Sequence, residues 1–155
     1  MSKAFTKDDG PTTAEVPRRR PPLPSPNYVT SRGLRALRDE LAGLGTLPSG
    51  PEHLAAAERR SDLETRIATA IVAPPPADLS EVRFGARVTV RDPEGATREV
   101  QIVGVDEAAP TMGLIAFVAP LARALLGRRA GDVVTVRTPG GEEELEIVAV
   151  AYDQA

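Results

Sequence analysis

At Pro74, Pro75 and Pro76 the chain changes period, and no single regular element can run across that point. Proline fixes φ, lacks an amide hydrogen, and pushes the preceding residue out of the helical region. Three in a row therefore end a helix and begin a stiff, extended stretch. Before them, Leu34, Leu37, Leu41 and Leu44 recur at spacings of three, four and three, an apolar seam on one helical face. After them, stretches such as "VRFGARVTVRD" alternate, the pattern of a half-buried strand. The chain divides into a helical part and a sheet part, joined by "APPPADLS" (Ala73–Ser80).

Thr30 is placed to cap the first helix. "GTLPSG" then reverses the chain, and Pro51 suits the first turn of a second helix. This helix is expected to reach about Val72, with Ala56, Leu63, Ile67 and Ala70 on one side. Glu58, Arg59, Asp62, Glu64 and Arg66 form its polar face. Two amphipathic helices joined by a short turn make an antiparallel hairpin. In the sheet part, "DPEG" (Asp92–Gly95) is a turn between strands, and "GLIAFVAP" a short buried strand. "PLARALLG" opens with proline and closes with glycine, as short helices do. "DVVTVRT", the turn "PGG" and "EEELEIVAVAY" complete an antiparallel sheet with one helix packed on it, an α+β fold. Residues 1–28 carry six prolines between Pro11 and Pro26 and few apolar groups, so a disordered arm is expected. The expected organisation is an arm (1–28), a helical hairpin (29–73), a linker (74–80) and a sheet domain (81–153).

Composition removes several function classes. With no Trp and 3% aromatics, the chain lacks the stacking platform of single-strand nucleic-acid binders. It has no cysteine and one histidine, which excludes thiolate and imidazole-cluster metal sites. A net charge of −3 gives no long-range attraction to DNA. No apolar run approaches the ~20 residues of a membrane span, and the N-terminus has no signal-peptide core. A cytoplasmic protein is expected.

Taken together, "VRFGARVTV", "REVQIVGVDEA", "GLIAFVAPLARALLG", "GD" and "TPGG" resemble the C-terminal domain of the bacterial transcription factors GreA and GreB. The resemblance covers about half of the chain, and "NYVTSRGLRALRDELAGL" is similar to the start of the GreB coiled coil. It implies an FKBP-like sheet domain that docks at the rim of the RNA polymerase secondary channel, with a coiled coil projecting toward the active centre. Contact with nucleic acid would be indirect, through the polymerase; a monomer without a cofactor or a membrane contact is expected. In the family, acidic residues at the tip help hold Mg²⁺, a cation that takes hard oxygen ligands, and the polymerase cleaves backtracked RNA.

The family's D-x-x-E-N tip signature is missing here. The tip is "TLPSGPEHL", marked by Pro48, Gly50, Glu52 and His53, with Glu52 its one carboxylate. Arms of these lengths reach on the order of 30 Å at about 1.5 Å per residue, short for the family. Cleavage stimulation is therefore not expected, and the chain is not expected to be an enzyme. A shorter relative, the regulator of nucleoside diphosphate kinase, shares the sheet domain with an abbreviated coiled coil. His53 beside Glu52 could assist a metal or a proton transfer, but two residues do not make a metal site, and an exposed side chain is expected.

Asp106, Glu107, Pro120 and Leu121 match positions that the family uses near its polymerase contact. Each also has a plainer reading: Asp106 and Glu107 as solvated loop charges, Pro120 as a first-turn proline, Leu121 as core. Ala119 stands where the family commonly has a capping serine. Two rival functions stay open, a peptidyl-prolyl isomerase suggested by the fold and an interaction module directed at something other than polymerase.

Overall fold

The first helix starts where its capping residue says it must. Thr30 is extended, and its side chain accepts the Gly33 amide at 2.9 Å. In the computed structural model, which describes residues 20–153, α1 spans Ser31–Gly43. A single 3-10 turn at Gly50–Glu52, with Pro51 in its first positions, leads into α2, His53–Thr69. The helices lie against each other, with Leu37 and Leu63 buried. Asn27, just before α1, donates to the Arg66 carbonyl near the end of α2 (3.1 Å). Arg60 of α2 reaches the Gly45 carbonyl beyond the end of α1.

The second helix stops before Val72, where it was expected to end. Ala70 turns to extended geometry, and Ala70–Val72 form β2. β2 pairs in parallel with β1, Asn27–Val29, the two helices serving as the crossover that a parallel pair requires. Of the arm expected over residues 1–28, residues 1–19 lie outside the described ones. Its last residues are tied down: Asn27 and Tyr28 sit in β1, and Arg20 is held by ion pairs.

The sheet part has five strands: β3 (Ala86–Arg91), β4 (Thr97–Val103), β5 (Leu114–Ala116), β6 (Val133–Thr138) and β7 (Gly141–Tyr152). They lie in the order β5-β4-β3-β7-β6. α3, Pro120–Leu125, covers one face, so the fold is mixed α+β. The core is almost wholly aliphatic: Val88, Val90, Val100, Ile102, Val134, Val136, Leu145 and Ile147 meet Ala122 and Leu125 of α3. Each fully buried aliphatic side chain of this size contributes about 1.5–3 kcal/mol. The Asp92–Gly95 turn forms as the sequence predicts, with the Asp92 carboxylate accepting the Glu94 and Ala96 amides at 2.9 Å.

Two details depart from plain antiparallel alternation. β5 runs parallel to β4, not antiparallel as expected, because a 3-10 turn at Pro110–Met112 folds the connection back beside β4. Gly113 closes that turn at φ 78°, where a Cβ would stand 2.7 Å from the Glu99 carbonyl oxygen, so only glycine fits. In β7 the inward phase changes: Leu145 and Ile147 face the core, then Val150 and Tyr152 pack against it. A bulge opposite Thr89 and Val90 supplies the extra residue that shifts the phase.

Candidate functional site

The expected tip lies at the turn between α1 and α2. Gly50 takes φ 84°, which favours glycine, and Pro51 fixes the next residue. His53 is exposed, and its Nδ1 lies 3.0 Å from the Pro48 carbonyl oxygen. Glu52 is exposed, and Leu54, two residues on, keeps 67% of its surface in solvent. No group of three or more His, Cys, Asp or Glu side chains able to hold a metal occurs among the described residues. The tip thus presents one carboxylate and an apolar side chain, not a pair of oxygen ligands.

Asp106 and Glu107 were expected in a polar loop, and the structure turns both carboxylates inward. Asp106 has only 6% of its side chain exposed and takes hydrogen bonds from Arg66 Nη1 at 3.1 and 3.2 Å. Arg20 Nη1 donates to the same carboxylate at 3.1 Å, and Arg20 also pairs with Glu40 of α1. Arg66 is buried too; its Nε reaches Asp62 at 2.9 Å and its Nη2 the Pro21 carbonyl at 2.6 Å. Glu107 accepts the Thr30 hydroxyl at 2.5 Å and Arg32 Nε at 3.0 Å. Two adjacent carboxylates of the sheet part are therefore both held by residues of the helical part.

Apolar contacts follow the same path. Tyr28 of β1 meets Phe84 and Phe117 of the sheet part, with ring centroids 5.7 and 5.6 Å apart; Phe84 and Phe117 are themselves 5.6 Å apart. Such tilted and edge-on pairs are each worth about 0.5–1.5 kcal/mol beyond burial. Gly104 lets the backbones close up: a Cβ there would stand 2.7 Å from the Tyr28 carbonyl oxygen. Beside this joint runs a groove of about 510 Å³, lined by Arg32, Pro74, Pro75, Phe84, Tyr152 and Asp153 among others.

Pro120 is exposed in the first turn of α3, and Leu121 packs against the core. Ala119 caps the helix with no side-chain hydrogen bond. The linker is pinned: Arg129 donates to Asp78 Oδ2 and Ser80 Oγ, both at 2.6 Å. The Ser80 hydroxyl, and after it the Arg129 guanidinium, hold the Asp78 carboxyl down at about 2. The Tyr152 hydroxyl donates to the Glu81 carbonyl at 2.5 Å, and burial pushes its pKa up.

Sequence reasoning missed Arg20, Tyr28 and Arg66. Arg66 was assigned to the polar face of α2. The missed signal is its spacing of three from Leu63, which puts it on the same flank as the buried seam.

Residues 76–152 match the family model described as "Transcription elongation factor, GreA/GreB, C-term". Transcription elongation factor GreA of Alkalilimnicola ehrlichii is 39% identical over 153 residues, covering 80% of this chain and 96% of that protein. Transcription elongation factor GreB of Neisseria meningitidis serogroup B is 33% identical over 153 residues, covering 81% and 94%. Among solved structures, the GreA/GreB factor of Nitrosomonas europaea superposes with a TM-score of 0.45 at 26% identity, over 81% of this chain and 98% of that one. On the family model and on relatives above 30% identity along four-fifths of its length, the chain belongs to the GreA/GreB family of transcription elongation factors.

Proposed function

We propose that this chain is a transcription elongation factor that binds RNA polymerase at the secondary channel and regulates transcription without efficient stimulation of transcript cleavage. The observation that carries the second half is the tip: Glu52 is its one carboxylate, and the exposed Leu54 two residues on is apolar. One carboxylate offers fewer hard-oxygen ligands than the acidic cluster of the family's tip signature, which weakens any hold on Mg²⁺ there. Length supports the same reading. α1 has 13 residues and α2 has 17, which at 1.5 Å per residue gives arms of roughly 20 and 26 Å. The alignment with the Alkalilimnicola relative is 153 residues long yet uses only 80% of the 155 residues here, so that relative carries residues with no counterpart in this chain.

In this reading α1 and α2 are a short antiparallel coiled-coil hairpin (29–73), followed by a linker (74–80) and an FKBP-like domain (81–153). The hairpin enters the channel, and the sheet domain docks at its rim through the exposed surface around Pro120. Asp106 and Glu107 act here by tying the sheet domain to the hairpin, since their carboxylates are already engaged by Arg20, Arg66 and Arg32. The protein is cytoplasmic and monomeric, is not itself an enzyme, and meets nucleic acid only through the polymerase. The test is co-purification with core RNA polymerase, followed by crosslinking from a photoreactive group at Thr46. Crosslinks to the walls of the secondary channel are expected. Failure to co-purify, or crosslinks only elsewhere on the enzyme, would overturn the reading.

A further inference from the structure

Among the described residues, the buried aliphatic core of the sheet part takes in no residue of α1 or α2; the apolar link between the two parts is Tyr28 against Phe84 and Phe117. Every buried residue of the main cluster falls between Val82 and Ile147, while Leu37 and Leu63 of the helices lie outside it. Two bodies whose aliphatic cores are separate reorient unless specific contacts at their joint prevent it. Those contacts join Arg20–Arg32 and Arg66 on one side to Asp106–Glu107, Gln101, Phe84 and Phe117 on the other. Arg20 bridges Asp106 to Glu40 of α1, and Arg66 of α2 binds the same Asp106 and the Pro21 carbonyl. At the other end of the segment, Thr30 and Arg32 hold Glu107, and Tyr28 sits against Phe84 and Phe117.

We infer that Asp106 is a positioning residue: clamped between Arg20 and Arg66, it sets the direction in which the helical arm leaves the sheet body. The geometry suits the task. One carboxylate receives two guanidinium groups that come from different parts of the chain, so the strap before β1, helix α2 and the sheet loop are fixed relative to one another. The pair Asp106–Arg66 is almost fully buried, and water cannot replace either partner there without opening the joint. Glu107 and the aromatic contacts keep the two bodies attached when the clamp is broken, so its loss frees the angle without separating them. The inference rests on the reading of the helices as an arm that enters a channel, for which a fixed direction matters.

The test uses the absence of native cysteine. Spin labels are placed on the exposed positions Thr46→Cys at the tip and Thr135→Cys on β6, and their distance distribution is read by pulsed EPR on the full chain without polymerase. One narrow population is expected for the labelled parent. Asp106→Asn and Arg20→Ala should each broaden it or add a second maximum, with helical circular dichroism retained. Arg91→Ala, which breaks the Arg91–Glu146 pair away from the joint, should leave it unchanged. If Asp106→Asn does not fold, Arg20→Ala decides, because Arg20 is partly exposed and lies outside both bodies. A folded Arg20→Ala with the parent's distribution overturns the inference, as does equal broadening by Arg91→Ala. Since polymerase is absent, such a failure says nothing against channel binding, which co-purification tests separately.

Discussion

Gly104→Ala tests how tightly the strap is seated on the sheet body. A Cβ at this position would meet the Tyr28 carbonyl oxygen at 2.7 Å and Val29 Cα at 3.3 Å. Both are backbone atoms in a paired strand, so relief requires moving β1 by about half an ångström, and with it the Tyr28 ring. Overpacking of this kind costs about 1–3 kcal/mol. The lower chain entropy of unfolded alanine returns about 0.4–1 kcal/mol, leaving a net loss centred on about 1.3 kcal/mol and at most about 2.6 kcal/mol. Gly33→Ala is the contrast. Its Cβ would lie 3.2 Å from Glu107 Oε1 and 3.3 Å from Thr30 Oγ1, the ends of side chains. Those two atoms share a hydrogen bond, and Thr30 Oγ1 caps Gly33, so they give only a few tenths of an ångström. The helix preference for alanine, at most about 1 kcal/mol, offsets that crowding, and this variant should lose less than Gly104→Ala. Urea unfolding followed by circular dichroism checks both. A Gly104→Ala midpoint equal to or above the parent's would refute the close seating of β1 on the sheet, and a Gly33→Ala loss larger than that of Gly104→Ala would refute the distinction between backbone and side-chain crowding.

Ala119→Ser restores a hydroxyl at the uncapped start of α3 and should raise stability by about 0.5–1 kcal/mol in the same urea assay. Leu63→Ala empties the fully buried position between the helices, a change that costs about 2–5 kcal/mol; because the sheet core does not include Leu63, the helical signal should melt earlier than the sheet. The Asp78 carboxyl, at about 2 instead of 3.8, is held down in the folded state. Its contribution is therefore present above pH 3.8 and lost as pH falls through about 2. A carboxyl NMR titration should place the midpoint near 2, and Ser80→Ala or Arg129→Ala should move it back toward 3.8.

The elements that depend on local spacing were legible in the sequence. Thr30 caps α1, Asp92–Gly95 turns β3 into β4, and Pro120 opens α3, because each of these depends on residues close by in the chain. What was not legible depends on distant partners. Ala70–Val72 become a strand only because Asn27–Val29 lie beside them, with both helices in between. β5 is parallel because a ten-residue connection, Gly104–Gly113, doubles back along β4, where β-strand periodicity alone gives no direction. The site divides the same way. The lone Glu52 could be read directly, since a missing carboxylate needs no fold to be seen. The inward turn of Asp106 and Glu107 could not, because Arg20 and Arg66 are 86 and 40 residues away from Asp106.

The blunted tip is put to the test by transcript cleavage in backtracked RNA polymerase complexes, measured with this protein alone and in competition with GreB. No release of 3′ RNA fragments above the polymerase's own rate is expected, together with inhibition of GreB-stimulated cleavage as the two compete for the channel. Robust cleavage by this protein alone would contradict the reading of its tip, and unimpeded GreB activity at saturating concentrations would contradict its place in the channel.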